Sequence, residues 1–237
     1  MAQKKKTDIK KFKTPVARAI FPYLTTPDTG KYAPKGGQYK VTLILDPKVP
    51  EHAAFIEQME AEAHRCFEVI QARQLADGNK AMAKVLKAVS PIKPHFTKND
   101  DGEKVETGLF EITFKRSAVF ENRRTGEIEN VVIPLFDGAG NRLPSTVEVW
   151  GGSQVAVAFF TKPYIVEKDK VAGASIRLSA VQIRELVTRG GETASDFGFE
   201  TDGDAIVVAP RADDGGASNH DGSGDEEEGV ENSGADF

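Results

Sequence analysis

Cysteine, tryptophan and methionine are scarce in this 237-residue sequence, at one, one and three, and no run of about 18 apolar residues occurs in it. The single cysteine, Cys66, excludes an internal disulfide, and nothing around it resembles a metal-binding Cys/His cluster. The lysine-rich start, Met1 to Lys13, is followed by no apolar segment of signal-peptide type. The expectation is a protein of a reducing cytoplasm, neither secreted nor in a membrane. Signatures of catalysis are missing as well. His52, His64, His95 and His220 show no ligand spacing such as HExxH, and His52 and His64 lie three turns apart on one predicted helix, too far to share a metal. There is no GxxxxGK[ST] loop for a triphosphate and no GxSxG elbow. Gly138 and Gly140 form a short GxG inside a turn, and Asp100 with Asp101 sit in a polar loop. Nothing calls for an enzyme, a metal or a cofactor.

What the sequence does have is a divided charge. From Glu192 to Phe237 there are 14 acidic residues against one basic residue, Arg211, a formal charge of −13. The first 191 residues carry 30 basic and 22 acidic residues, +8, so the net −5 hides a basic body with an acidic appendage. Such asymmetry points to a polyanion-binding body, with nucleic acid the first candidate, and to a tail that mimics or competes with the polyanion. The lysine cluster at the N-terminus reads equally as a solvated arm or as an arm that touches nucleic acid.

The pattern along the chain is mainly β. Val16 to Tyr23 is a first strand-like run, a Pro- and Gly-marked loop covers Pro27 to Gly37, and Gln38 to Leu45 follows with Tyr39, Val41, Leu43 and Leu45 on one side. Between Glu51 and Ala76 the period changes, with Phe55, Met59, Ala63, Phe67 and Ile70 spaced as an amphipathic helix requires. Lys80 to Val89 is expected as a short second helix, after which Pro91 and Pro94 force extended backbone. Strands are expected again over Leu109 to Phe120, with Phe110, Ile112 and Phe114 inward, and over Ile128 to Phe136. Val155, Val157 and Phe159 form one face of the next strand. In the last, Ala174 to Val187, Ile176, Leu178 and Ala180 face one way before Val181 and Ile183 take over, which predicts a bulge. The expected architecture is an OB-like barrel of five or six strands with one long helix, although this periodicity also suits other small barrels or a sandwich. The body is assigned to residues 1–195 and a flexible acidic tail to 196–237. Residues 200–236 hold too little apolar surface, apart from Ile206 to Val208, to offset the entropy of ordering.

Binding a single strand without sequence preference needs cations along the backbone path and aromatic faces for the bases. Candidate cations are Lys31, Lys35 and Lys40 near the second strand, Lys115, Arg116, Arg123 and Arg124 around the third, and Lys162, Lys168, Lys170 and Arg177 toward the end. Candidate rings are Tyr32, Phe120, Phe160 and Tyr164. Phe160 fits a core position as well as a platform, Arg123 with Arg124 fits a plain hairpin tip, and Tyr164 after Lys162 and Pro163 is the better-placed contact. Phe110, Phe114 and Phe159 are expected in the core.

Two segments, TTPDTGKYAPKGGQYKVTLIL over 25–45 and AGASIRLSAVQIRELVTRGGE over 172–192, together with a tail closing on Ala235, Asp236 and Phe237, resemble the single-stranded DNA-binding proteins of T-odd podophages. The similarity spans nearly the whole body in order. It implies an OB-fold body, homodimerisation, strand annealing, and work in phage replication, recombination and repair in the host cytoplasm. It also implies a tail that occupies the DNA groove when DNA is absent and whose terminal aromatic docks on the phage DNA polymerase and primase-helicase. Carried onto matching positions, Lys35 precedes the glycine of the second-strand loop, Tyr164 precedes the last hairpin, and Arg123 with Arg124 fall where the family has a lysine-rich hairpin. Asp225, Glu226, Glu227, Glu228, Asp236 and Phe237 are the partner-binding residues so implied. The tail departs from the pattern in its glycine content and in Ile206 to Val208. An RNA-binding OB protein and a scaffold for protein partners stay open as alternatives.

Overall fold

The computed structural model describes residues 10–99, 101–122 and 124–187, all within the unit Met1–Gly191. Asp100, Arg123, the first nine residues and the whole of the expected tail, with the disorder expected of it, lie outside the described residues.

Eleven described strands and two helices make a mainly β body. Their order is β1 (Lys10–Lys13), β2 (Ala17–Asp28), β3 (Gln38–Leu45), α1 (Pro50–Ala76), α2 (Lys80–Val85), β4 (Lys87–Val89), β5 (Ile92–Lys98), β6 (Lys104–Ser117), β7 (Val119–Glu121), β8 (Ile128–Asn130), β9 (Leu135–Phe136), β10 (Gln154–Val166) and β11 (Val171–Glu185). Nine of the strands form one sheet, and β7 with β8 forms a separate hairpin. Five long strands pair in a circuit that returns on itself. Antiparallel contacts join β2 to β3 and β3 to β6, a parallel contact at Lys115 and Arg177 joins β6 to β11, and antiparallel contacts run from β11 to β10 and from β10 back to β2.

Alternation sends one pleat of each strand into a common core, with Leu43, Leu45, Ile112, Phe114, Val155, Val157, Phe159 and Leu178 almost wholly buried. Phe159 is the hub of that core. Phe12 stacks on it at 5.5 Å, Phe114 tilts against it at 4.9 Å, and Phe55 meets it edge-on at 6.1 Å. As expected, Phe114 and Phe159 are core, and Phe110 packs against them half-buried.

Helix α1 starts on a proline with Glu51 in its first turn, and buries Phe55, Met59, Glu62, Ala63, Cys66 and Ile70 against the inward pleat of β10 and its neighbours. It stops at Asp77 because Gly78 turns into the left-handed region at φ +83°. The expected second helix is shorter than its sequence suggests. It ends at Val85, Leu86 is extended, and Lys87–Val89 becomes β4, parallel to β11. Glycine makes that pairing possible: a Cβ on Gly173 would lie 2.6 Å from the Val89 carbonyl oxygen.

Three other expectations change. The Leu109–Phe120 run begins earlier, at Lys104, and breaks at buried Ala118, whose N–H donates to the Gly37 carbonyl at 3.0 Å before β7 starts. The Ile128–Phe136 run forms strands only at its two ends, β8 and β9, while between them the Val131 N–H donates to the Ala118 carbonyl at 2.8 Å and the Pro134 carbonyl accepts from the Val181 N–H at 3.0 Å. The last four residues of the lysine-rich start are not merely a solvated arm, since Lys10–Lys13 pairs with β10. The predicted bulge is present: Ala158 pairs with Ala180 but Phe159 with Leu178, leaving Ser179 as the extra residue of β11.

Candidate nucleic-acid interface

Strand register brings distant parts of the sequence to one transverse row on the outward pleat. Lys40 of β3 lies opposite Lys115 of β6, Lys115 opposite Arg177 of β11, and Arg177 opposite Phe160 of β10. Two residues outside the predicted set extend it: Tyr23 of β2 opposite Lys40, and Lys11 of β1 opposite Phe160. Registered neighbours in a sheet share a face, so the row reads ring, cation, cation, cation, ring, cation. At 4.7–4.9 Å per strand it follows a curved path of about 24 Å around the outside of the circuit, long enough for several nucleotides. Lys115, Arg177 and Lys11 are exposed and Phe160 is half-buried.

Lys40 is not a loose cation. Its Nζ donates to Asp28 Oδ2 at 2.6 Å and lies 4.7 Å from the centre of the Tyr23 ring. The Lys40 ammonium, helped by the Gly30 N–H, holds the Asp28 carboxyl below its ordinary value. Tyr23 reaches the row through an irregularity. Pairing of β2 with β3 slips between Ile20 and Tyr23, where Phe21 takes φ +48°, a strained value for an aromatic residue. That slip hides Tyr23 from a simple alternation rule. Lys11 was legible only as part of the alternation Lys11, Phe12, Lys13, in which Phe12 packs inward on Phe159 and the flanking lysines face out.

A column along β10 crosses the row at Phe160. Lys162 and Tyr164 follow on the same pleat, opposite Ser175 and Gly173, and the Tyr164 Cε1 lies 3.6 Å from where a Gly173 side chain would begin. The intervening Thr161 points to α1, where its hydroxyl donates to Glu62 Oε1 at 2.5 Å. Helix and row therefore occupy opposite pleats of β10.

The remaining predicted residues lie apart from the row. Arg116 registers with buried Tyr39 and donates from Nη1 to the Leu178 carbonyl at 3.3 Å, on the pleat opposite Lys115. Lys35 is exposed in the β2–β3 loop, where a Cβ on the next residue, Gly36 at φ +88°, would lie 2.5 Å from Val119 Cγ2 at the base of the β7–β8 hairpin. Arg124 is exposed in the turn of that hairpin, and Phe120 is 57% exposed on it. Lys31 lies 5.8 Å from the centre of the 90% exposed Tyr32 ring, while Lys168 and Lys170 are exposed in the β10–β11 turn. Arg123, Asp225, Glu226, Glu227, Glu228, Asp236 and Phe237 lie outside the described residues.

Features of other kinds have structural work. His52 accepts the Asp46 N–H at Nδ1, 3.0 Å, and bonds the Val16 carbonyl through Nε2 at 2.9 Å, tying α1 to β2. Glu62, buried on α1, accepts from Arg65 at 2.7 and 2.8 Å and from Thr161, and lies 3.7 Å from Lys10 of β1. Among the described residues no three His, Cys, Asp or Glu groups converge on a metal position, and no helix is long and apolar enough to cross a membrane. A hollow of about 560 Å³ beside β2, lined by Phe21, Pro22, Trp150 and Glu148 among others, offers a carboxylate and no cation, which does not suit phosphate.

Residues 17–186 match the family model described as the single-stranded DNA-binding protein of bacteriophage T7. The chain is 26% identical over 206 residues to the single-stranded DNA-binding protein of Escherichia phage T7, covering 81% of this chain and 84% of that protein. It is 26% identical over 191 residues to the single-stranded DNA-binding protein of Enterobacteria phage T3, covering 77% of this chain and 78% of that one. Its fold is similar to the crystal structure of gp2.5, a single-stranded DNA binding protein encoded by bacteriophage T7, with a TM-score of 0.57 and 22% identity over 76% of this chain and 94% of that one. The family match covers most of the sequence and all of the five-strand circuit, and the chain belongs to the bacteriophage T7 family of single-stranded DNA-binding proteins.

Proposed function

We propose that this protein binds and coats single-stranded DNA without sequence preference during phage DNA replication and recombination in the host cytoplasm. It is a binding protein, not an enzyme. The observation that carries the reading is the registered row from Tyr23 through Lys40, Lys115, Arg177 and Phe160 to Lys11, which combines the two features that sequence-independent binding of an unpaired strand requires. The closed pairing circuit supports an OB-type barrel. In that fold the second and third strands and the loops joining strands one to two and four to five carry the ligand. These are β3, β6, the loop with Lys31 and Lys35, and the turn with Lys168 and Lys170.

The acidic segment of −13 and its terminal Phe237 support a second role, in which the tail recruits the phage DNA polymerase and primase-helicase and competes with DNA for the basic face. Family membership supports a homodimer and strand annealing as parts of the same reading. A fluorescence titration of the full chain with oligo-dT at two salt concentrations tests the central claim. Binding should weaken with salt, log K falling by about 0.7 per phosphate neutralised for each unit of log salt. Equal affinity for duplex and single strand, or no binding to oligo-dT at low salt, would overturn it. Sedimentation of the free protein checks the dimer.

A further inference from the structure

Next to Phe160 the outward pleat of β10 and β11 is hollow. Two adjacent registered rows, Lys13 with Ala158 and Ala180, and Ala156 with Gln182 and Phe136, enclose a niche of about 150 Å³. Its floor is three alanines on two central strands, positions where β-branched or aromatic residues fit a pleated surface better. Larger side chains there would fill the space. The walls come from two short strands: Lys13 on β1 and Phe136 on β9. Gln182 is fixed at the rim, since its Nε2 donates to the Asp137 carbonyl at 3.0 Å and to the Gly138 carbonyl at 3.4 Å. Asp137 is itself held by Asn141, whose side-chain and backbone N–H groups keep its carboxyl below the ordinary value.

We infer that this niche holds one unpaired nucleobase, as a subsite of the proposed DNA track. A volume of about 150 Å³ equals roughly five waters at 30 Å³ each, room for one flat ring system and not for a whole nucleoside. An apolar floor suits a base face, and Lys13 stands where the adjoining phosphate passes. The niche sits one bulge, Ser179, from the Arg177–Phe160 pair, so a strand following the row is turned along β10 with successive bases on Phe160 and in the niche.

This subsite rests on the proposed single-strand binding, and the test separates the two. Full-length protein and the variants Ala158→Leu and Ala180→Leu, which fill the niche, are titrated with oligo-dT and with an abasic oligomer of equal length and charge. Ala54→Leu, which adds the same bulk at an exposed position of α1, is the control, and thermal melts check folding. Wild type should prefer oligo-dT. Each leucine variant should lose about tenfold in affinity for oligo-dT, within the range measured for one stacked base, and keep its affinity for the abasic oligomer. The Ala54→Leu variant should match wild type. Leucine variants that melt normally and bind oligo-dT like wild type, while Phe160→Ala binds weakly, would overturn the niche and leave DNA binding standing. Loss of both probes by both leucine variants would overturn base recognition there, and a wild type blind to oligo-dT would overturn niche and track together.

Discussion

Phe160 and Glu62 show how one residue on either side of β10 serves a different need. Phe160 faces out between Arg177 and Lys11, where a half-buried ring is rigid enough to receive a base. Phe160→Ala and Tyr164→Ala should each weaken oligo-dT binding by roughly 1–3 kcal/mol if bases stack there. An unchanged titration midpoint would remove that residue from the site. Arg177→Ala and Lys115→Ala should act differently, lowering the salt slope by about 0.7 each with little regard to base composition. Glu62 faces the helix side. Burial works against its ionisation, but the Arg65 guanidinium and the Thr161 hydroxyl outweigh that, and its pKa lies below the ordinary 4.5. A carboxyl depressed on folding contributes stability that is present above its unfolded pKa and lost as pH falls through the folded one. The melting temperature should therefore drop on acidification below about pH 4.5, and Glu62→Gln should flatten that part of the profile. Identical acid profiles for the two proteins would refute this role. At neutral pH the same substitution should cost about 1–3 kcal/mol, because Thr161 and Arg65 lose a charged partner in a buried setting.

Among the elements, β1 gives the sharpest test of packing. Lys10–Lys13 adds one edge strand to β10, stacks Phe12 on Phe159 and brings Lys10 to Glu62 while Lys11 and Lys13 face out. Deleting residues 1–13 should cost roughly 2–3 kcal/mol through the lost ring pair and its burial. It should also lower the salt slope of DNA binding by more than one cation's worth. A truncated protein as stable as the parent would show that β1 is ornamental to the core. Helix α1 and the inward pleats of β3, β6 and β10 were legible in the sequence because each repeats its period over many residues, as Phe55 to Ile70 and Val155 to Phe159 do. Short elements were not. β4 depends on the missing side chain of Gly173, β9 on two residues after Pro134, and neither has a period to read. The site was half legible for a related reason. Composition and neighbouring residues pointed to Lys40, Lys115, Arg177 and Phe160, but only register unites strands separated by so much sequence. Register also sends Arg116 to the opposite pleat from Lys115 and brings in Tyr23 through a strained bulge at Phe21.

At the scale of the whole molecule the governing quantity is the division of charge, +8 over the first 191 residues against −13 over the last 46. On the function proposed above, a tethered polyanion of this charge would compete with free DNA for the basic row, with a strength set by electrostatics and by its local concentration. Removing residues 192–237 should tighten oligo-dT binding. The gain should be largest at low salt and shrink as the Debye length falls from about 10 Å at 0.1 M toward 3 Å at 1 M. Neutralising Asp225, Glu226, Glu227 and Glu228 to the amides should give part of the same gain, because they are the densest acidic run in the segment. Deleting Phe237 alone should leave DNA affinity nearly unchanged, because the ring adds no charge, while reducing any recruitment of polymerase that depends on it. A tailless protein that bound DNA more weakly than the full chain would reverse the sign of this argument. The acidic segment would then support the DNA-bound state and not oppose it, and the salt dependence of the difference between the two proteins would be the measurement that says which.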